Sequence, residues 1–155
     1  MNADFINPFL SSVSNILATM AQTESQAGQL SLKKDATACG DISGIIGMSS
    51  PQGKGSFAIS FTEKVALAIT QRMLGEEHKE IDGTVTDLVG EVTNMAIGGA
   101  KQVLADTGYD FGLASPVVVR GKDHMIDHQS KNATMLIPFT SDAGDFFIEV
   151  NFEPS

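Results

Sequence analysis

The chain has 155 residues, of which 42% are hydrophobic and 19% are charged, and its formal net charge at pH 7 is −9. This length suffices for one domain with a sizeable core, so we expect residues 1–155 to fold as a single domain. The acidic balance disfavours nonspecific binding to nucleic acids and to anionic membranes.

The N-terminal sequence lacks a basic region followed by a long apolar run, and no stretch of about 18 apolar residues occurs. The single cysteine, Cys39, excludes an intrachain disulfide and favours a reducing compartment. We therefore expect a cytoplasmic protein with no membrane partner and no nucleic-acid partner.

The first predicted helix opens at Asn7 and Pro8, because asparagine is a good cap and proline suits the first helical position. Apolar residues then recur at helical spacing and extend the helix to residue 23 or 24: Leu10, Val13, Leu17 and Met20. A polar break covers residues 26–29.

Three strand-like runs follow, at residues 30–36, 40–48 and 55–61. The third run alternates cleanly, with Phe57, Ile59 and Phe61 on one face and small residues on the other. The turn residues at 49–55 predict a hairpin between the second and third runs.

A second helix begins after the third run and stops at Gly75. Ser60 and Glu63 have the spacing of a capping box, although Thr62 could equally be the cap. A charged connector at residues 76–83 follows, in which we expect His78 to be exposed.

The C-terminal third is rich in strand signals. Three consecutive valines at residues 117–119, within an extended run at 109–120, predict a strand buried on both faces. Residues 121–131 are polar and have no clear assignment, and two last strands are predicted at 133–139 and 145–152. Because sequential strands are joined by short turns, we predict an α/β fold of the α+β type, a mostly antiparallel sheet with helices packed on it.

The central helix, predicted at residues 84–106, has two distinct faces. Its broad apolar arc consists of Val85, Leu88, Val89, Val92, Ala96, Gly99, Ala100 and Val103. Its narrow polar stripe consists of Asp87, Glu91, Asn94 and Gly98, with Lys101 at the margin. Glu91 and Asn94 are three residues apart, so their side chains emerge together about one turn apart.

Glycines are unusually frequent in this helix. Each of Gly90, Gly98 and Gly99 costs about 0.8–1.0 kcal/mol relative to alanine. Their presence suggests that another surface comes close to the helix. The plainer interpretation is that Glu91 and Asn94 are an exposed acid and an exposed amide of the kind that any amphipathic helix carries.

Two other groups of residues in the sequence could carry chemistry. His124 and His128 have the i, i+4 spacing of a helical metal pair, with Asp123 and Asp127 nearby. No third set of ligands is apparent, so we expect a solvated polar loop and no metal site. Nothing in the sequence resembles a nucleophilic triad, because Cys39 and the histidines show no orienting context.

The segment DLVGEVTNMAIGGAK at 87–101, with GDISGIIG before it and ATMLIPFTSDAGDFFIEVNF after it, resembles the CheX branch of the CheC/CheX/FliY family of response-regulator phosphatases. The resemblance covers nearly the whole chain. It implies a CheC-like fold and a protein that binds a phosphorylated receiver domain, typically CheY, and hydrolyses its aspartyl phosphate.

The family's two signature residues correspond to Glu91 and Asn94. By this resemblance Glu91 forms an ion pair with the receiver's active-site lysine, and Asn94 holds the attacking water. The chain binds no cofactor of its own, because the receiver supplies Mg²⁺. The resemblance also implies a homodimer.

Four further residues of this helix are expected at the docking surface. Gly90 and Gly98 would let the receiver approach, and Asp87 and Lys101 flank the pair. A non-catalytic receiver-binding or adaptor module, or a small-ligand binding domain, would keep the same polar stripe without the phosphatase chemistry.

Overall fold

The computed structural model of the protein describes residues 3–155. In that range the chain forms three helices: α1 (Ala3–Met20), α2 (Glu63–Leu74) and α3 (Gly83–Asp106). The sheet contains eight strands: β1 (Ser25–Ala27), β2 (Ser31–Leu32), β3 (Ile42–Ser50), β4 (Gly53–Phe61), β5 (Gly112–Leu113), β6 (Val117–Arg120), β7 (Met135–Ser141) and β8 (Phe146–Pro154).

The sheet is antiparallel throughout, with the strand order β1-β7-β8-β4-β3-β5. β2 also pairs with β7, and β6 also pairs with β3. The hairpins β3–β4 and β7–β8 form the centre of the sheet, and a short turn joins the two strands of each hairpin. The predicted fold, an antiparallel sheet with helices packed on it, is confirmed.

The main core lies between the sheet and the helices. Alternate residues of the central strands point to this side, so that Ile59 of β4 is paired in register with Ile148 of β8 and both are buried. From α1, Phe9 stacks on Phe57 with 5.6 Å between the ring centroids. Each such fully buried side chain stabilises the fold by about 1.5–3 kcal/mol.

The opposite face of the central strands is polar and also buried. Ser56 and Ser60 of β4 and Glu149 and Asn151 of β8 lie there beneath loop residues. Those loops also contribute a small apolar cluster, in which Ala38 and Ile126 pack on Ala58. The alternation predicted for the last strand is therefore present, but its polar side faces protein and not solvent.

The helix caps follow from local sequence. Thr62 caps α2 by accepting a hydrogen bond from the Val65 N–H at 3.3 Å, whereas Ser60 bonds with Ser43 on the sheet. Of the two candidate caps, Thr62 is the one used. The helix ends as predicted at Gly75, whose φ of 72° suits glycine. Asp82 caps α3 through a 3.0 Å bond from the Val85 N–H.

The predicted start of α1 was wrong. The helix already includes Ala3, and Pro8 lies inside it. Phe5 and Ile6 are both buried in the core, so packing of these N-terminal side chains outweighs the hydrogen bond that proline cannot donate. The helix also ends earlier than expected, at Met20, because Gln22 adopts a left-handed φ of 46°.

Two strand predictions were also wrong in part. Only Ser31–Leu32 of the run at 30–36 pairs in the sheet, while β1 overlaps the predicted polar break at residues 26–27. β6 is an edge strand and not a strand buried on both faces, since Val117 is 59% exposed. Valine favours β-strands in general, so the three valines do not distinguish an edge strand from a central strand. Within residues 3–155 no helix is long and apolar enough to cross a membrane.

Candidate functional site

The buried face of α3 fixes which side chains reach the surface. Six residues of the predicted apolar arc are buried: Val85, Leu88, Val89, Val92, Ala96 and Ala100. The other two, Gly99 and Val103, are exposed, and Val103, at 49%, was wrongly included. Buried residues that the arc omitted are Thr93, Ile97 and Leu104.

Gly99 marks the crossing of α1 and α3. A Cβ built on it would overlap the hydroxyl of Ser12, which donates a 2.6 Å hydrogen bond to the Ala96 carbonyl. The contact with α1 therefore explains the glycine at position 99 without a second molecule approaching the helix.

Thr93 anchors α3 to the sheet between the two signature residues. It is buried, and its hydroxyl donates to the Val89 carbonyl at 2.7 Å. Its side chain lies directly over Gly44 of β3, where a Cβ would overlap it. Because Thr93 points into the molecule, Glu91 and Asn94 on either side of it point away.

Glu91 and Asn94 are both exposed on the outer side of α3. Among residues 3–155, neither side chain has a hydrogen-bond or ion-pair partner. Their carboxylate and amide are therefore available to a second molecule. The helix and the exposed pair are as predicted from the sequence.

The four predicted docking residues differ in their surroundings. Asp87 and Gly98 are exposed in the same polar stripe, and a Cβ on Gly98 would have open space around it. Lys101 is half-buried at the margin. Gly90 is half-buried beside β6, where a Cβ would lie 3.4 Å from a methyl group of Val118. The open side of the stripe is thus at Asp87, Glu91, Asn94 and Gly98.

A family model described as "Chemotaxis phosphatase CheX" matches residues 42–140, a segment that contains β3 and all of α3. The chain belongs to the CheX family. None of the curated proteins matches it significantly.

Solved structures support this membership over the full length. A CheC-like superfamily protein from Shewanella sp. PV-4 is 54% identical, with a TM-score of 0.93 and 99% of each chain covered. The chemotaxis protein CheX from Vibrio vulnificus is 50% identical, with a TM-score of 0.91 and coverage of 97% of this chain and 100% of that one. CheX in a CheX–CheY–BeF₃–Mg²⁺ complex from Borrelia burgdorferi is 26% identical, with a TM-score of 0.78 and 99% of each chain covered.

Charge interactions stabilise the beginning of α3 in this CheX-family protein. His78 Nδ1 lies 2.6 Å from the Asp82 carboxylate, which also caps the helix. The hydrogen bond from the Val85 N–H, followed by the one with His78, lowers the pKa of Asp82. The hydrogen bond with Asp82 raises the pKa of His78. His78 is half-buried and not exposed as expected.

His124 and His128 support the loop that covers the polar face of the sheet. His124 bonds to Ser43 Oγ and to the Gly121 carbonyl, each at 2.7 Å. His128 bonds to Ser56 Oγ and, at 2.9 Å, to Glu149. The prediction of a solvated loop was wrong for these side chains, and within residues 3–155 no three potential ligands are grouped to hold a metal ion.

The sequence did not reveal this network. Glu149 also pairs with Lys33 at 2.7 Å, and both side chains are buried. The available signal was the alternation of β8, which places Glu149 and Asn151 on one face. The sequence alone does not show that loops cover this face, so the same alternation would also fit a face exposed to solvent.

Proposed function

We propose that this protein is a phosphatase that hydrolyses the aspartyl phosphate of a phosphorylated, CheY-like response-regulator receiver domain. The observation that carries the proposal is the exposed, unpartnered Glu91–Asn94 pair on α3, in a chain that belongs to a chemotaxis phosphatase family. The complex that contains both CheX and CheY from Borrelia burgdorferi supports the choice of partner.

In this proposal Asn94 orients the attacking water. An aspartyl phosphate is an activated acyl phosphate, so the catalyst mainly positions water in line with the phosphorus while the receiver's carboxylate leaves. An amide offers a donor and an acceptor at fixed geometry and adds no negative charge beside the phosphoryl oxygens. Water positioning worth about 10²–10⁴ in rate corresponds to about 3–5 kcal/mol.

Glu91 provides the anchoring charge. Its carboxylate is exposed one turn before Asn94, where it would pair with the receiver's active-site lysine in a partly desolvated interface. Asp87 and Gly98 extend the same open stripe, and Lys101 and Gly90 border it. We assign these four residues to docking. Mg²⁺ belongs to the receiver in this scheme, and both proteins act in the cytoplasm.

A non-catalytic adaptor is the alternative function, because the same stripe would serve docking alone. The phosphoryl half-life of a purified receiver distinguishes the two. Catalysis predicts a half-life shortened by substoichiometric amounts of the chain, whereas an adaptor binds and leaves the half-life unchanged. The Glu91→Ala variant should weaken binding and turnover together, while Asn94→Ala should affect turnover alone.

We also propose that the protein forms a homodimer by strand pairing. β6 is an edge strand, and the exposed side chain of Val117 and the outer backbone groups there are typical of a pairing edge. The mass in solution, measured by light scattering, tests this. Val117→Lys should shift the mass to that of a monomer, and a wild-type monomer at all concentrations would contradict the proposal.

A further inference from the structure

Lys101 is the one basic residue in the 24-residue sequence of α3. The positions three and four residues away, where a helical ion pair would form, hold no charge: Ile97, Gly98, Leu104 and Ala105. Among residues 3–155 its ammonium group has neither an ion pair nor a hydrogen bond. The positive charge of Lys101 is therefore available to a second molecule.

The helix dipole does not account for this lysine. A cation is stabilised at the C-terminal end of a helix, but the effect falls off within the last turn. Lys101 lies five residues before the end of α3 at Asp106, and the last turn contains no basic residue. The position of the lysine along the helix needs another explanation.

Lys101 lies on nearly the same side of α3 as Asn94, almost two turns further along. Seven residues at about 100° each bring the two positions to within about 20° of each other around the helix axis. Along the axis they are separated by about 10.5 Å. Side chains of a helix tilt towards its N-terminus, so the four-carbon stem of Lys101 extends towards Asn94 and can cover about half of that distance.

No side chain of α3 blocks the surface between the two residues. Ile97 is fully buried beneath it, and Gly98 has no side chain, with open space where a Cβ would lie. Lys101 is half-buried, as expected for a lysine whose stem lies against the protein while its ammonium group stays in water. An anion held at Asn94 would thus lie within reach of this ammonium group.

The charges along the exposed face of α3 follow a definite order. Carboxylates come first, at Asp87 and Glu91, followed by the amide of Asn94, the gap at Gly98 and the cation of Lys101. A phosphoryl group carries a charge of about −1.5 to −2 at pH 7, so the two carboxylates repel it. Lys101 can offset this repulsion from the other side of Asn94.

We propose that Lys101 recognises the phosphoryl group of the docked receiver, so that the protein binds the phosphorylated receiver in preference to the unphosphorylated one. This inference rests on the proposed function, because it requires the receiver to dock on α3. Glu91 then faces the receiver's lysine while Lys101 faces the phosphoryl oxygens. The other cation beside α3, Arg120, donates to the Ile81 carbonyl at 2.8 Å and is thereby held at the opposite end of the helix.

The affinity for two states of one purified CheY-like receiver tests the proposal. Beryllofluoride with Mg²⁺ provides a stable mimic of the phosphorylated state, and the same receiver without beryllofluoride provides the other. We expect wild type to prefer the beryllofluoride form and Lys101→Met, which keeps the length of the stem, to lose about tenfold of that preference. Lys101→Arg keeps the charge and should retain most of it.

Lys34→Met is the matched control. Lys34 is an exposed lysine that follows β2, at the opposite edge of the sheet from β6, so its removal should leave the preference unchanged. An unchanged preference in Lys101→Met would overturn the proposal. Equal weakening of both receiver states would also overturn it, because Lys101 would then contact a permanent acidic group of the receiver and not the phosphoryl group.

The same titrations separate this inference from the proposed function. Asn94→Ala should lose turnover and keep the preference for the beryllofluoride form, since Lys101 is intact. If wild type accelerates dephosphorylation and Lys101→Met keeps the full preference, only the role of Lys101 is wrong. If wild type binds neither state of the receiver, the proposed function fails and this inference fails with it.

Discussion

Gly44 of β3 lies directly beneath Thr93 of α3, so close that a Cβ at position 44 would overlap the threonine side chain. Thr93 is buried between the exposed Glu91 and Asn94. The height of the signature pair above the sheet is therefore set by the absence of a side chain on one strand residue.

Gly44→Ala should destabilise the protein by about 1–3 kcal/mol, because the extra methyl group overpacks the contact between α3 and the sheet. The free energy of unfolding in urea measures this. Gly47→Ala is the matched control on the same strand, since its Cβ would lie 3.9 Å from that of Ala114, an ordinary contact. Equal stability of Gly44→Ala and wild type would contradict the packing described here, and adding Thr93→Ala should recover part of any loss.

Lys33 and Glu149 form a buried ion pair, with side chains 6% and 1% exposed. Glu149→Ala should cost about 3–5 kcal/mol, because it leaves a buried ammonium without its partner. Urea unfolding again provides the measurement.

The pair Lys54–Glu153 is the exposed counterpart, with an N–O distance of 3.4 Å and the lysine side chain 64% exposed. Glu153→Ala should therefore change the free energy of unfolding by no more than about 1 kcal/mol. Similar losses for Glu149→Ala and Glu153→Ala would mean that the loop covering the polar face does not exclude water.

The His78–Asp82 pair should make stability depend on pH. The pKa of His78 is raised above its ordinary value of 6.5, so its stabilising contribution is complete below pH 6.5 and disappears as the pH rises through the raised value. The pKa of Asp82 is lowered from 3.8, so its contribution exists above pH 3.8 and disappears as the pH falls through the lowered value.

His78→Gln tests this dependence. The stability difference between wild type and the variant should be greatest between pH 4 and 6.5 and should shrink as the solution becomes alkaline. Asp82→Asn, which keeps a capping side chain but removes the charge, should abolish the same alkaline decline. A difference that is constant with pH would exclude the charged pair as its source.

Local signals predicted most of the architecture. The periodicity of α3, the caps Thr62 and Gly75 and the alternation of β4 and β8 all depend on neighbouring residues, and each is present in the structure. The exposure of Glu91 and Asn94 followed from helix geometry alone.

Features that depend on distant contacts were not predictable. The start of α1 is determined by core packing of Phe5 and Ile6, and the exposure of Val117 depends on the position of β6 at the sheet edge. His128 and Glu149 are 21 residues apart and meet only when the loop folds over the sheet. The spacing of residues along the sequence does not predict such long-range contacts.

In the proposed function, Glu91 and Asn94 act only in contact with a second protein. Contacts within this chain therefore do not test their roles. Asn94 and Gln102 are exposed amides on the same helix, and Gln102 lies eight residues, or about 12 Å, further along it. They form a matched pair for separating a positioned amide from a general surface effect.

The decay of a phosphorylated CheY-like receiver, followed with saturating wild type, Asn94→Ala and Gln102→Ala, tests the central claim most directly. The account predicts that wild type and Gln102→Ala accelerate the decay equally, while Asn94→Ala binds the receiver and loses about 10²–10⁴ of the acceleration. Full acceleration by Asn94→Ala would contradict it.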